Sequence, residues 1–139
     1  MADIVTVTQI HDDMRTCTYE FTNESDGTGE SVITKIDLDN LVGNNGALTG
    51  GDRPTSLTFI KGDWEIGGFN YVNALWARTA SNKLITVMVD SGGVDFYAEG
   101  GKPDPSRGLG GTGDILITTD GGADGSGYRI KMTFRKKYD

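Results

Sequence analysis

Hydrophobic and polar residues alternate most cleanly near the end of the chain. Tyr128, Ile130, Met132 and Phe134 share one parity, and Arg129, Lys131, Thr133 and Arg135 share the other. A period of two marks a half-buried strand. Upstream, residues 114–119 form a short run rich in β-branched side chains. Between the two runs lie residues 120–127, with four glycines and two aspartates. Glycine accepts positive φ freely and aspartate tolerates it better than most residues. The pattern predicts a closing hairpin, two antiparallel strands joined by a loop of about eight residues.

The rest of the chain reads in the same way. Residues 4–10 alternate Ile4, Thr6, Thr8 and Ile10 with Val5, Val7 and Gln9, a strand composition. His11, Asp12 and Asp13 make a turn. Residues 15–23 predict a second strand, with Cys17, Tyr19 and Phe21 on one face. Residues 24–30 read as a loop, 31–36 as a short strand, and 37–45 as room for one helical turn with Asp37 as its cap. Residues 44–53 are glycine-rich and polar, an exposed loop. Residues 55–61 pair Leu57 with Phe59 on one face of a strand, which residues 63–66 extend or follow with another. Gly67-Gly68 interrupts the pattern, at a turn or bulge. Residues 69–78 are rich in aromatic side chains. Residues 83–89 are apolar on both faces, which predicts a central strand. A turn at 90–93 and a short strand at 94–97 precede residues 98–112, a long glycine- and proline-containing loop. Eight to ten strands with frequent turn signals predict an all-β, antiparallel β-sandwich, with a jelly roll as one form of it, built as a single domain over residues 1–139. No internal repeat points to a propeller or solenoid.

Composition sharpens this picture. Glycine supplies 21 of 139 residues, about twice its usual share, without the period of three that collagen requires. The net charge of −7 removes the electrostatic attraction on which nucleic-acid affinity rests, and disfavours an anionic membrane surface as well. The basic group Arg135, Lys136 and Lys137 reads as a solvated patch protecting a strand end. One cysteine, Cys17, cannot form a disulfide within the chain. Residues 1–10 lack the basic and apolar regions of a signal peptide. Together these predict folding in the cytoplasm.

Few residues in the chain point to chemistry. His11 and Cys17 lie in adjacent elements, but a lone cysteine on an apolar face is usually a small buried side chain. One histidine and one cysteine are too few for a zinc site. Asp120 and Asp124 open a segment resembling a calcium loop, yet its twelfth position is Lys131 where a glutamate is required, so both aspartates read as turn residues. The G-x-G patterns at Gly27, Gly111 and Gly125 open no helix. No catalytic residue, metal ligand or cofactor is predicted. Trp64, Phe69, Tyr71 and Trp76 suggest a sugar-binding platform, which makes a carbohydrate-binding or adhesion module the alternative function. The competing reading places these rings in the core.

Two stretches carry a family likeness. One holds Trp64, the run Gly68-Phe69-Asn70-Tyr71-Val72, and Trp76. The other holds Gly111 to Leu116 and Gly127 to Ile130, followed by a basic end. In these the chain resembles small virion structural proteins of tailed bacteriophages, the head decoration or cement type. The resemblance covers about two thirds of the chain and rests on no functional signature. It implies a noncatalytic, oligomeric β-domain that binds a major capsid or other virion protein and stabilises a head or neck lattice, assembled in the host cytoplasm. Shell sites of local threefold symmetry would favour a homotrimer. Within this reading the loops at 44–53 and 98–112 are the contact elements, with Arg53, Pro103, Pro105, Arg107 and Leu109 as partner-contact residues, because prolines limit the entropy lost on ordering and arginine is enriched at interfaces.

Overall fold

The computed structural model describes residues 4–13, 15–27, 29–30, 33–36, 56–78, 82–103 and 111–137. Ten strands run through them: β1 Ile4–Asp12, β2 Thr16–Asp26, β3 Ile33–Ile36, β4 Ser56–Gly67, β5 Phe69–Arg78, β6 Lys83–Met88, β7 Ser91–Asp95, β8 Lys102–Pro103, β9 Gly111–Gly121 and β10 Asp124–Lys137. The one helical element among the described residues is a 3-10 turn at Tyr97–Glu99. All pairings are antiparallel. One sheet has the order β1-β2-β10-β4-β7, with β8 also paired to β4, and the other has the order β3-β9-β5-β6. The two sheets pack face to face, so the all-β sandwich predicted from the chain is the observed architecture.

The two strand orders match one to one. β2 continues into β3, β10 follows β9, β4 continues into β5, and β7 follows β6. The sandwich is therefore one four-stranded antiparallel sheet folded in two, with β1 added outside β2. The fold line crosses each strand pair where the backbone has positive φ: Gly27 and Gly29, then Gly121, Gly122 and Gly125, then Gly68, then Asp90. The register brings these points level. Gly127 faces Gly67 and Glu24, Phe69 faces Gly121, and Ile66 N–H donates to the Asp90 carbonyl at 2.5 Å.

This geometry corrects the hairpin expected at residues 114–134. β9 and β10 lie in different sheets and do not pair with each other. The glycine-rich segment between them is a corner carrying the chain across the sandwich. β9 pairs instead with β3 and β5, and β10 with β2 and β4.

Bulges tune which residues face inward. In β4 the register slips at Ile60, between the Thr133–Lys61 and Phe134–Phe59 pairs. Inward positions therefore change from odd (Leu57, Phe59) to even (Trp64), and all three are buried. In β5 the slip between Phe69 and Tyr71 does the same, so that Phe69, Val72, Ala74 and Trp76 all reach the core. β10 keeps strict alternation, burying Tyr128, Ile130, Met132 and Phe134 as predicted. The two layers meet through rings. Trp76 of one sheet packs edge-on to Phe134 of the other at 6.1 Å, and Phe69 lies 6.2 Å from Tyr128.

Two further expectations change. Residues 83–89 are not central: β6 is the edge of its sheet. Ile85 and Met88 are buried, while Leu84, Val87 and Val89 are 45–48% exposed. Apolar residues on both faces here mean one face in the core and one in solvent. The expected helical turn at 37–45 and the loop at 44–53 lie outside the described residues. Of residues 98–112, expected to be a loop, the described part holds the end of the 3-10 turn, β8 and the first two residues of β9.

Two measurements test this account. Phe134→Ala should cost ~3–5 kcal/mol in denaturant unfolding, as large-to-small core changes do. At the crease, a Cβ on Gly68 (φ +89°) would sit 2.2 Å from Ser126 Oγ, whereas one on Gly67 meets nothing within 4 Å. Gly68→Ala should therefore destabilise by ~1–3 kcal/mol or more, and Gly67→Ala by under ~1 kcal/mol. Equal effects would remove the crease as a constraint.

Candidate functional site

Four charged side chains are drawn into the framework as buried pairs. The alternation of β10 continues past Phe134 to Lys136, which is buried, contrary to the solvated patch expected for Arg135, Lys136 and Lys137. Its ammonium pairs with Asp12 Oδ1, with side chains 0% and 4% exposed, and also donates to the Asp13 carbonyl at 2.5 Å. The Lys136 N–H donates to the Arg15 carbonyl at 2.7 Å. The end of β10 is thus clamped to the β1–β2 turn. Arg135 and Lys137 stay exposed, as expected.

A second buried pair lies in the crossing from β2 to β3. Glu30 accepts from Lys35 Nζ and from the Tyr128 hydroxyl, and the side chains of Lys35 and Glu30 are 1% and 4% exposed. The backbone of Glu30 is held as well: its N–H donates to Thr119 Oγ1 at 2.9 Å, and its carbonyl accepts from Thr119 N–H at 3.0 Å. Three chain segments meet at this carboxylate. Nothing in the chain pattern marks Glu30, because a glutamate in a polar stretch reads as solvated. Lys136 continues the parity of Tyr128 to Phe134, a signal against the solvated patch expected there.

His11 and Cys17 are not brought together. His11 is exposed and its Nε2 lies 2.8 Å from Asp13 Oδ2. Cys17 faces the core with no exposure, and burial pushes its thiol up to about 12. Burial also pushes the Tyr19 phenol up to about 12, while Gln9 Nε2 donates to its oxygen at 3.1 Å. Asp13 moves the other way. Backbone N–H groups of Thr16 and Arg15, both at 2.8 Å from Oδ1, hold its carboxyl down at about 2. Asp120 accepts from Asn70 Nδ2 at 3.0 Å, across the corner. Among the described residues, no group of three or more His, Cys, Asp or Glu side chains is placed to hold a metal ion.

The aromatic platform does not form. Trp76 is fully buried, Trp64 is 9% exposed with its Nε1–H donating to the Val89 carbonyl at 3.2 Å, and Phe69 is 7% exposed. Only Tyr71 of the four is half-buried. The outer face of the β1-containing sheet bears a shallow groove of about 350 Å³, floored by Gly62 and Gly93 and rimmed by Lys61, Asp63 and Lys131. Beside it Arg129 reaches Glu20 at 3.3 Å and Asp63 at 3.6 Å. These are exposed ion pairs, of small energetic weight.

Among the described residues, the exposed large hydrophobic side chains are Ile4, Val5, Val7 and Ile10 on β1, Ile33 on β3, Leu84 and Val87 on β6, and Val89 just after it. All lie on or beside edge strands. Of the predicted contact residues, Pro103 is exposed on β8 and pairs with Thr58. Arg53, Pro105, Arg107 and Leu109 lie outside the described residues. No family model matches the chain, and no curated protein matches it.

Two outcomes check the buried polar groups. Glu30→Ala, leaving Lys35 buried and unpaired, should cost ~3–5 kcal/mol in urea unfolding. Asp13 has a folded pKa below its unfolded value, so its contribution is present above pH about 4 and is lost as pH falls towards about 2. The stability difference between wild type and Asp13→Asn should therefore be present at pH 6 and shrink towards pH 2.

Proposed function

We propose that this chain is a non-enzymatic virion structural protein, a capsid decoration or cement protein that binds and stabilises a tailed-phage head or neck lattice. The observation that carries this reading is the placement of its exposed apolar side chains, gathered on the edge strands β1, β3 and β6. Exposed apolar patches mark interaction surfaces, and an open sheet edge offers unpaired backbone groups beside them. The buried carboxylates and ammonium groups hold strands together, which suits a chain that works by contact. The residues of the phage-protein resemblance fall on β4, β5, β9 and β10, the central strands of the fold, so that likeness is one of framework. Its partner in this reading is the major capsid protein or another virion protein, and its place is the virion, assembled in the host cytoplasm. The homotrimer of this proposal is one formed on the lattice, where shell sites of local threefold symmetry would gather three copies. Burial of Trp64 and Trp76 removes the row of rings that the carbohydrate-binding alternative required.

The experiment is co-sedimentation of the purified chain with phage heads assembled without it. The expected outcome is saturable binding at a fixed ratio to capsid subunits, with decorated heads surviving higher temperature than bare ones. Leu84→Asp with Val87→Asp, on the exposed face of β6, should weaken binding by about tenfold or more while leaving the melting temperature of the free chain nearly unchanged. Absence of binding, or binding without stabilisation, would overturn the reading.

A further inference from the structure

β1 stands apart from the other edges. β1 lies outside β2, beyond the four strands of its layer that connect directly to strands of the other sheet, so no described strand of the other sheet is its counterpart. Val5 and Val7 register with Asn23 and Phe21, whose side chains are buried, yet they remain 42% and 43% exposed. The far side of β1 pairs with no described strand. Natural edges are usually blunted by charge, proline, glycine or shortness. β7 is short and contains Gly92 and Gly93, β3 has four residues, and β6 opens with Lys83. Residues 4–9 (Ile-Val-Thr-Val-Thr-Gln) hold none of these devices, and the bulge at Ile10 ends the regular edge.

We infer that the free edge of β1 pairs antiparallel with β1 of a second copy of this chain, about a twofold axis at Val7. The occupant follows from the pattern of the edge. With Val7 on the axis, Val7 faces Val7 of the other copy, Thr6 faces Thr8, and Val5 faces Gln9. On the inner face the two pairs of valines form one apolar strip between the two cores. On the outer face threonine meets threonine, a favourable cross-strand pair. No charge within residues 4–9 opposes itself. The pairing joins the two β1-containing sheets into one continuous sheet and is isologous, so it closes at the dimer. Each copy carries a net charge of −7, so long-range repulsion opposes the association and salt relieves it. The pairing does not rest on the virion reading.

Sedimentation velocity from ~10 µM to ~1 mM protein tests it. A monomer–dimer equilibrium is expected, with more dimer at high salt than at low salt. Val7→Lys places two like charges face to face on the axis and should raise the dissociation constant about tenfold or more, with the melting temperature of the monomer nearly unchanged. Register is read by short thiol cross-linking: Val7→Cys should cross-link across the axis. Val5→Cys should not, because its two copies lie about 14 Å apart along the strands. The native Cys17 is buried and its thiol is held protonated, so it does not compete. A wild type that stays monomeric to ~1 mM, a trimer, dissociation by salt, or equal cross-linking of the two cysteine variants would each overturn the inference.

Discussion

The fold depends on a crease. Four neighbouring strands leave one layer and enter the other at the same level, so each must change direction there without losing its partners. The turning points are Gly27 and Gly29, the glycines at 121, 122 and 125, Gly68, and Asp90, all with positive φ. L-residues with a Cβ reach that region only at a cost, which is why glycine occupies all but one of these positions. Crowding adds to this at Gly68, where Ser126 of the adjacent corner occupies the space a side chain would need. Once the crease is set, the two layers lie over one another, and Trp76, Phe134, Phe69 and Tyr128 meet across the gap.

Two buried ion pairs secure the folded sheet at places where apolar contact alone would not choose a register. Glu30 ties the β2–β3 crossing to β3 and β10, and Lys136 ties the end of β10 to the β1–β2 turn. Such pairs contribute modest net stability, since desolvation offsets much of their attraction, but a misregistered strand would leave a charge buried without its partner. They therefore penalise wrong pairings more than they reward the right one. The hydrogen bonds from Lys136 to the Asp13 carbonyl and from Thr119 to Glu30 carry the same constraint into the backbone.

With buried polar groups holding its strands together, the protein keeps its exposed large apolar side chains, among the described residues, at sheet edges. Branched apolar residues are exposed there, while the broad outer face of the β1-containing sheet carries a mixed ladder of Glu20, Arg129, Asp63 and Lys131. A mixed ladder resists nonspecific association. Apolar edges invite a specific one, because backbone hydrogen bonds and side-chain packing must both match. That division suits the assembly role proposed above.

The sequence by itself determined the all-β class, most strand positions and the inward faces of β2 and β10, because a period of two is a local property that burial on one side imposes directly. Cys17, Tyr19, Phe21, Ile130, Met132 and Phe134 were legible for that reason, and Lys136 would have been had its parity been followed past Phe134. Only the tertiary structure decided which strands pair. Asp120 to Gly127 has the composition of a hairpin loop and equally that of a corner between sheets, since both need residues that accept positive φ. The choice depends on partners far away in sequence. The same holds for residues 83–89, whose apolar faces suit a central strand or an exposed edge, and for Glu30, whose burial depends on Lys35 and Tyr128 converging on it from different strands. Local pattern records what each residue prefers; pairing and burial are settled by what the rest of the chain places beside it.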